Sequence, residues 1–229
     1  MTHILHIDSS VRAVLNDNPA HNSISKQLAE WFIASFKTHC ATAEYTYRDV
    51  GMNPPDFINQ QWIGAVFTPE AKRSAAQRQQ LALSDQLIAE VSAADLIVIS
   101  APMYNYGMPA QLKAWFDQIV RINKTFDFDL NRGDTPLAPL LSGKTLVILT
   151  SCGEFGFEEG GVNERHGHLV PHLRTLSKYL GVEQIFEVAS EYQEFADNRH
   201  WQSLQQALAK SAAIGLQLAQ HYAGEATDV

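Results

Sequence analysis

Three short stretches hold side chains suited to a flat ring that carries an anion. The first is Pro102-Met103-Tyr104-Asn105-Tyr106-Gly107-Met108, with two tyrosines, two methionines, an amide and a glycine. Aromatic and thioether groups pack on a planar ring, the amide bonds its edge, and glycine permits close backbone approach. The second is Ser9-Ser10, followed further on by Ser23-Ile24-Ser25. Hydroxyls and free N–H groups at a helix start can hold a phosphate dianion without a lysine or arginine. The same serines would also serve as ordinary helix caps. The third is Thr150-Ser151-Cys152-Gly153-Glu154 within a glycine-containing loop. It offers backbone donors to one edge of a ring, or is simply a connector. Together the three point to a planar aromatic cofactor.

The elements that must position these stretches are legible in the apolar pattern. Leu96-Ile97-Val98-Ile99 is an unbroken run of the kind buried on both faces of a sheet. Leu112, Trp115, Phe116, Ile119 and Val120 form one helix face behind the tyrosine loop, and Pro109 suits the first helical turn. Ile4–Asp8 reads as a first strand, Ser9–Asn22 as a polar loop, and Ile24, Leu28, Phe32 and Phe36 as a helix face. Glu44–Asp49 is a second strand, followed by loop and a short helix over Gly51–Thr68. Thr68-Pro69-Glu70 should start a long helix ending near Ala93. Asp127–Ser142 looks irregular, Thr145–Thr150 is a fourth strand, and a helix from Leu169 to Leu180 stops at Gly181. Gln184–Ala189 is a fifth strand and Trp201–His221 a closing helix, with a frayed tail from Gly224 to Val229.

Such alternation predicts an α/β fold in which helices cover both faces of a parallel sheet. Five strands suit the flavodoxin-like order 2-1-3-4-5, in which ligands bind at the carboxyl ends of the first and third strands. The loops after Asp8, Ser100 and Thr150 converge there. With 229 residues and no repeat or linker, residues 1–229 are expected to form a single domain.

Charge and composition narrow the partners. A net charge of −8 argues against nucleic acid or an anionic membrane surface. No apolar run approaches bilayer length and no signal segment opens the chain, so a cytoplasmic protein is expected. Two cysteines imply no disulfide framework. A nucleophilic Cys152 would want an arginine six residues on, where Glu158 stands, and Glu154 and Glu159 add unfavourable charge. Ser142-Gly143-Lys144-Thr145 ends like a phosphate-binding loop but precedes a strand and lacks the earlier glycine, that place being Ala138. Asp8 follows a strand as a phosphatase nucleophile would, yet Ser10 holds its partner's position. His166, His168 and His172 match no zinc pattern, so no metal is expected.

Ser9-Ser10 with Ser23-x-Ser25, then Ala101-Pro102-Met103-Tyr104-Asn105-Tyr106 with Gln111-Leu112-Lys113, then Thr150-Ser151 and its glycine loop, resemble the FMN-dependent NADH-azoreductase family. That family belongs with the flavodoxin-like NAD(P)H:quinone oxidoreductases. The resemblance implies that Ser10, Ser23, Ile24 and Ser25 hold the FMN phosphate and ribityl chain. It places Pro102, Met103, Tyr104, Asn105 and Tyr106 at the isoalloxazine, with Ser151, Cys152, Gly153 and Glu154 at its other edge. Phe126 and Phe128 would wall the substrate pocket, although Phe126 equally suits core packing. Relatives carry glycine at the place of Glu154 and often tyrosine at that of Phe128, and the insertion Arg12–His21 is long for the family. The implied activity is two-electron reduction of quinones and azo compounds by NADH or NADPH, with the substrates taking turns. The implied assembly is a homodimer with FMN near its interface, and no acid–base side chain is implied. A flavodoxin-type electron carrier with a protein partner and a flavin-free hydrolase on the same fold are the alternatives.

Overall fold

The apolar runs become strands because helices cover both of their faces. A computed structural model describes residues 1–225. In chain order the elements are β1 (His3–Asp8), α1 (Ile24–His39), β2 (Glu44–Asp49), α2 (Gln60–Phe67), α3 (Ala75–Ala93), β3 (Leu96–Pro102) and α4 (Ala110–Ile119). Next come β4 (Phe126–Phe128), β5 (Leu137–Pro139), β6 (Lys144–Ser151), α5 (Leu169–Ser177), β7 (Val182–Ser190) and α6 (Asn198–Glu225). The main sheet is five-stranded and parallel, ordered β2-β1-β3-β6-β7, which is the expected 2-1-3-4-5 order.

Alternate residues of the sheet face opposite layers. Ile4, Leu96, Val98, Val147, Leu149 and Val188 pack with α1 and α6. Leu5, Ile7, Ile97, Ile99, Leu146 and Ile148 pack with α3, α4 and α5. On α1 the predicted face Ile24, Leu28, Phe32 and Phe36 is buried, each side chain contributing roughly 1.5–3 kcal/mol. Gly181, at φ 80°, ends the helical stretch after α5 in the left-handed conformation that glycine adopts without strain.

Four expectations require correction. Thr68-Pro69-Glu70 does not open the long helix. Only a single 3-10 turn forms at Glu70–Lys72, and α3 starts at Ala75 behind a capping box of Ser74 and Gln77. Thr68 instead caps α2, and Arg73 donates to the carbonyls of Ala65, Thr68 and Val66, so the chain turns before it can become helical. Asp127–Ser142 is not wholly irregular. β4 and β5 pair antiparallel through Phe126–Pro139, Asp127–Ala138 and Phe128–Leu137. Three pairs are too few to leave an alternation pattern in the sequence. Pro109 is the residue before α4, where its missing N–H is equally harmless. Finally, α6 continues through Gly224 to Glu225, and 226–229 lie outside the described residues.

His6 and Asp8 interrupt the apolar face of β1. His6 bridges the Tyr45 hydroxyl at 2.7 Å and Asp8 Oδ1 at 2.8 Å. Ser100 Oγ donates to Asp8 Oδ1 at 2.5 Å and the Tyr47 hydroxyl to Asp8 Oδ2 at 2.8 Å. Burial pushes the Asp8 carboxyl up, but the His6 hydrogen bond and charge, with Ser100 and Tyr47, outweigh it and hold the group below its ordinary value. Burial and the nearby Asp8 charge push the Tyr45 hydroxyl up to about 12. This network ties β2, β1 and β3 together near the ends from which the loops after β1 and β3 depart.

Candidate functional site

The carboxyl ends of β1, β3 and β6 open into a cavity of about 610 Å³. At one end stands the start of α1. Ser23 is its N-cap, accepting from the Lys26 N–H at 3.4 Å. The first-turn N–H groups of Ile24 and Ser25 have no carbonyl partner within the helix, as at every helix start. Ser23 Oγ and Ser25 Oγ lie 3.4 Å apart. Ser10 reaches this end from the loop after β1, while Ser9 donates backward to the Ser100 carbonyl at 2.8 Å.

At the other end the chain leaves β3 as a tight turn. Gly107 N–H donates to Tyr104 O at 2.9 Å, with Asn105 at φ 47° and Tyr106 at φ 65° between them. Two successive positive φ values mark a mirror-image turn, and for tyrosine that conformation costs on the order of 1–3 kcal/mol. Surrounding bonds hold it. Met103 N–H donates to Ser151 O at 2.8 Å, His168 N–H to Tyr106 O at 2.7 Å, and Val11 N–H reaches the Tyr104 hydroxyl at 3.4 Å. The turn therefore keeps a fixed shape against β6 and α5.

Ser10, Ser23, Ile24, Pro102, Met103, Tyr104, Asn105, Ser151, Cys152 and Gly153 line this one cavity, although they come from four places in the sequence. Ser25, Tyr106 and Glu154 do not line it. Ser25 is buried behind Ser23, and the Tyr106 hydroxyl donates to Glu154 Oε1 at 2.9 Å across an exposed rim. Phe126 and Phe128 stand elsewhere. They line an apolar cavity of about 570 Å³ with Trp62, Val66, Phe116 and Leu137.

Sequence reasoning missed Arg12, Ala20, Asn22, Gln193 and Glu194, all of which line the cofactor-sized cavity. Arg12 and Ala20 belong to the insertion Arg12–His21, and Asn22 follows it. Gln193 and Glu194 come from the loop after β7 and leave no local signal. That loop is strapped to the turn after β6 by Tyr192, Gln193 and Glu194 N–H groups donating to the Glu154, Cys152 and Gly153 carbonyls at 2.9, 3.2 and 3.1 Å. Phe155 and Tyr192 stack at 4.5 Å beside it. The Glu194 side chain rests against Gly153, where a Cβ would lie 2.4 Å from Glu194 Cγ.

Burial pushes the Cys152 thiol up to about 12, and the carboxylates of Glu191, Glu154 and Glu158 act in the same sense. A thiol with that value is ionised at pH 8 in only about one molecule in ten thousand. Alkylation of Cys152 by iodoacetamide at pH 8, followed by peptide mass spectrometry, should run at least ~1000-fold slower than for a free cysteine peptide. Rapid labelling would restore a nucleophile reading. Asp8 does not line the cavity either, since its carboxylate is held in the buried network under the loop.

A parallel five-stranded sheet with a hydroxyl-lined cavity at its switch point defines the class. A family model described as flavodoxin-like fold matches residues 2–214, and the chain belongs to that family. Among its relatives, FMN-dependent NADH:quinone oxidoreductase 2 of Idiomarina loihiensis is 68% identical over 218 residues, covering 95% of this chain and 91% of its own. The protein of the same designation from Colwellia psychrerythraea is 59% identical over 207 residues, covering 90% and 94%. A solved structure, an FMN-dependent NADH-azoreductase from Bacillus anthracis in complex with FMN, superposes with a TM-score of 0.81 at 17% identity, covering 96% of this chain and all of that one. At that identity the likeness is one of fold.

Proposed function

We propose that this chain is an FMN-dependent oxidoreductase that uses NADH or NADPH to reduce quinones and azo compounds. The observation that carries this reading is the meeting, in one cavity, of the serine-lined start of α1 with Pro102–Asn105 and the turn after β6. Relatives named for FMN-dependent quinone reduction, at up to 68% identity, support it.

The donor set suits FMN. Ser10, Ser23 and the free N–H at Ile24 suit the phosphate. Met103 and Tyr104 offer packing surface, Asn105 an amide, and Gly153 a backbone N–H to the far edge of the ring, the Cys152 N–H being spent on the Ser190 carbonyl at 3.0 Å. When bound, FMN supplies the two-electron chemistry, and the chain's residues bind it, orient the incoming ring and exclude water. No side chain of the cavity is assigned a proton-transfer role. Tyr106 and Glu154, joined across the rim, limit access from that side.

Donor and acceptor must each lie against the same ring to react. They therefore take turns, and double-reciprocal plots with NADH and a quinone varied should give parallel lines. The purified protein should be yellow. Anaerobic NADH should bleach it and a quinone should restore the colour. A colourless protein that takes up no FMN would sink the reading, and very slow bleaching by either nicotinamide would favour an electron carrier.

The assembly we propose is a homodimer. Ile58, Ile63, Phe67, Phe128 and Leu137 surround the second cavity yet remain between 36% and 71% exposed. A contiguous apolar surface of this kind is unusual on a monomer. A role for Phe126 and Phe128 in holding the acceptor then requires that this surface of one copy meet the cofactor cavity of the other. A monomeric mass in solution at micromolar concentration would exclude both points.

A further inference from the structure

We propose that Arg12 is the counter-charge for the FMN phosphate, and that the insertion Arg12–His21 exists in this chain as a clasp that delivers it. This rests on the FMN reading above. Two cations stand near the start of α1. Lys26 is buried there, but its ammonium lies 2.5 Å from Asp49 Oδ2 and is neutralised by it. Arg12 lines the cavity beside Ser10, Ala20, Asn22, Ser23 and Ile24, and among the described residues its guanidinium has no ion pair or side-chain hydrogen bond. Glu194, the other charged side chain lining the cavity, comes from the strap against the far turn.

The insertion is closed on itself. Asn16 N–H donates to Asn22 Oδ1 at 2.8 Å, and Asn16 Nδ2 donates to the Ala13 and His21 carbonyls at 3.1 and 3.0 Å. Ser23 N–H donates to Ala13 O at 2.9 Å, so both ends of the insertion meet at the cap of α1. Arg12 N–H donates to Ser10 Oγ at 3.2 Å, which leaves the Ser10 hydroxyl proton free for an anion. Arg12 is thus tethered at the mouth of the phosphate end with its planar fork of donors unspent, the geometry that best matches a phosphate. On a protein of net charge −8, a dianion gains from one local cation.

The test is the affinity of the full-length chain, stripped of flavin, for FMN and for riboflavin, read by quenching of flavin fluorescence. Arg12→Gln should weaken FMN about 10-fold at low salt, with riboflavin unchanged. Arg12→Lys should recover part of the loss, restoring the charge but not the fork, and the wild-type advantage should shrink in molar salt because the side chain is solvent-exposed. Asn16→Ala, which opens the clasp, should show the same FMN-selective loss in smaller measure. Equal weakening of FMN and riboflavin would make Arg12 a structural loop residue and overturn the proposal. So would unchanged FMN affinity with a raised KM for NADH, which would assign Arg12 to the phosphates of the nicotinamide. A wild-type chain that binds no FMN overturns the function reading itself, before Arg12 is tested.

Discussion

Replacing Ser10 and Ser23 together with alanine should weaken FMN binding by at least ~100-fold while leaving riboflavin affinity within a few-fold. Each hydroxyl that donates to an anion is worth ~1.5–3 kcal/mol, and each 1.4 kcal/mol is a factor of ten. Ser25 is the poorer target, because it lies behind Ser23 and does not line the cavity. Ser23 also caps α1, so its loss should cost ~0.5–2 kcal/mol of stability as well. A thermal melt of the variant without flavin separates the two effects. If FMN and riboflavin are lost in parallel and the melt collapses, the serines are caps and nothing more. If neither ligand is affected, the phosphate lies elsewhere.

Removing the Asp8 carboxylate should be strongly destabilising. Asp8→Ala leaves His6, Tyr47 and Ser100 without their shared acceptor in a buried layer. Breaking a buried ionic cluster from one side costs ~3–5 kcal/mol. For a chain of this length that corresponds to a fall in Tm of roughly 6–20 °C. The pH dependence follows from the sign of the shift. The folded-state value of Asp8 is lowered, so its contribution is fully present above the unfolded value of ~3.9 and is lost as pH falls through the folded value. The stability gap between wild type and Asp8→Asn should therefore be widest at neutral pH and close in acid. A gap independent of pH between neutral and strongly acid solution would mean that Asp8 is not ionised in the fold.

Much of the candidate site was legible because its parts are local. A strand that ends in a cluster of unusual residues, with a helix behind it, places that cluster at the carboxyl edge of a sheet wherever the chain goes next. Pro102–Asn105, Ser10, Ser23 and Ser151–Gly153 are read in this way, and all of them line one cavity. Gln193 and Glu194 had no such signature. They reach the cavity through backbone hydrogen bonds to Cys152 and Gly153, and peptide groups are the same in every sequence. Arg12 lacks a local signature for a related reason. Its value as a cation depends on Asp49 claiming Lys26, a pairing between residues 23 positions apart.

By itself the sequence determined the strand order, the two helical layers and three of the four loops that meet at the site. Apolar periodicity is a property of neighbouring residues, and the right-handed crossover rule leaves few ways to connect such units. Tertiary structure decided where Phe126 and Phe128 go, because a three-pair hairpin places them in an apolar cavity with Trp62 and Phe116, apart from the serine-lined cavity. It also decided that Asp8 and His6 are a buried tie between strands. Their role depends on Tyr45, Tyr47 and Ser100, which adjoining strands bring beside them. Side chains acquire such partners only when strands distant in the chain come into register.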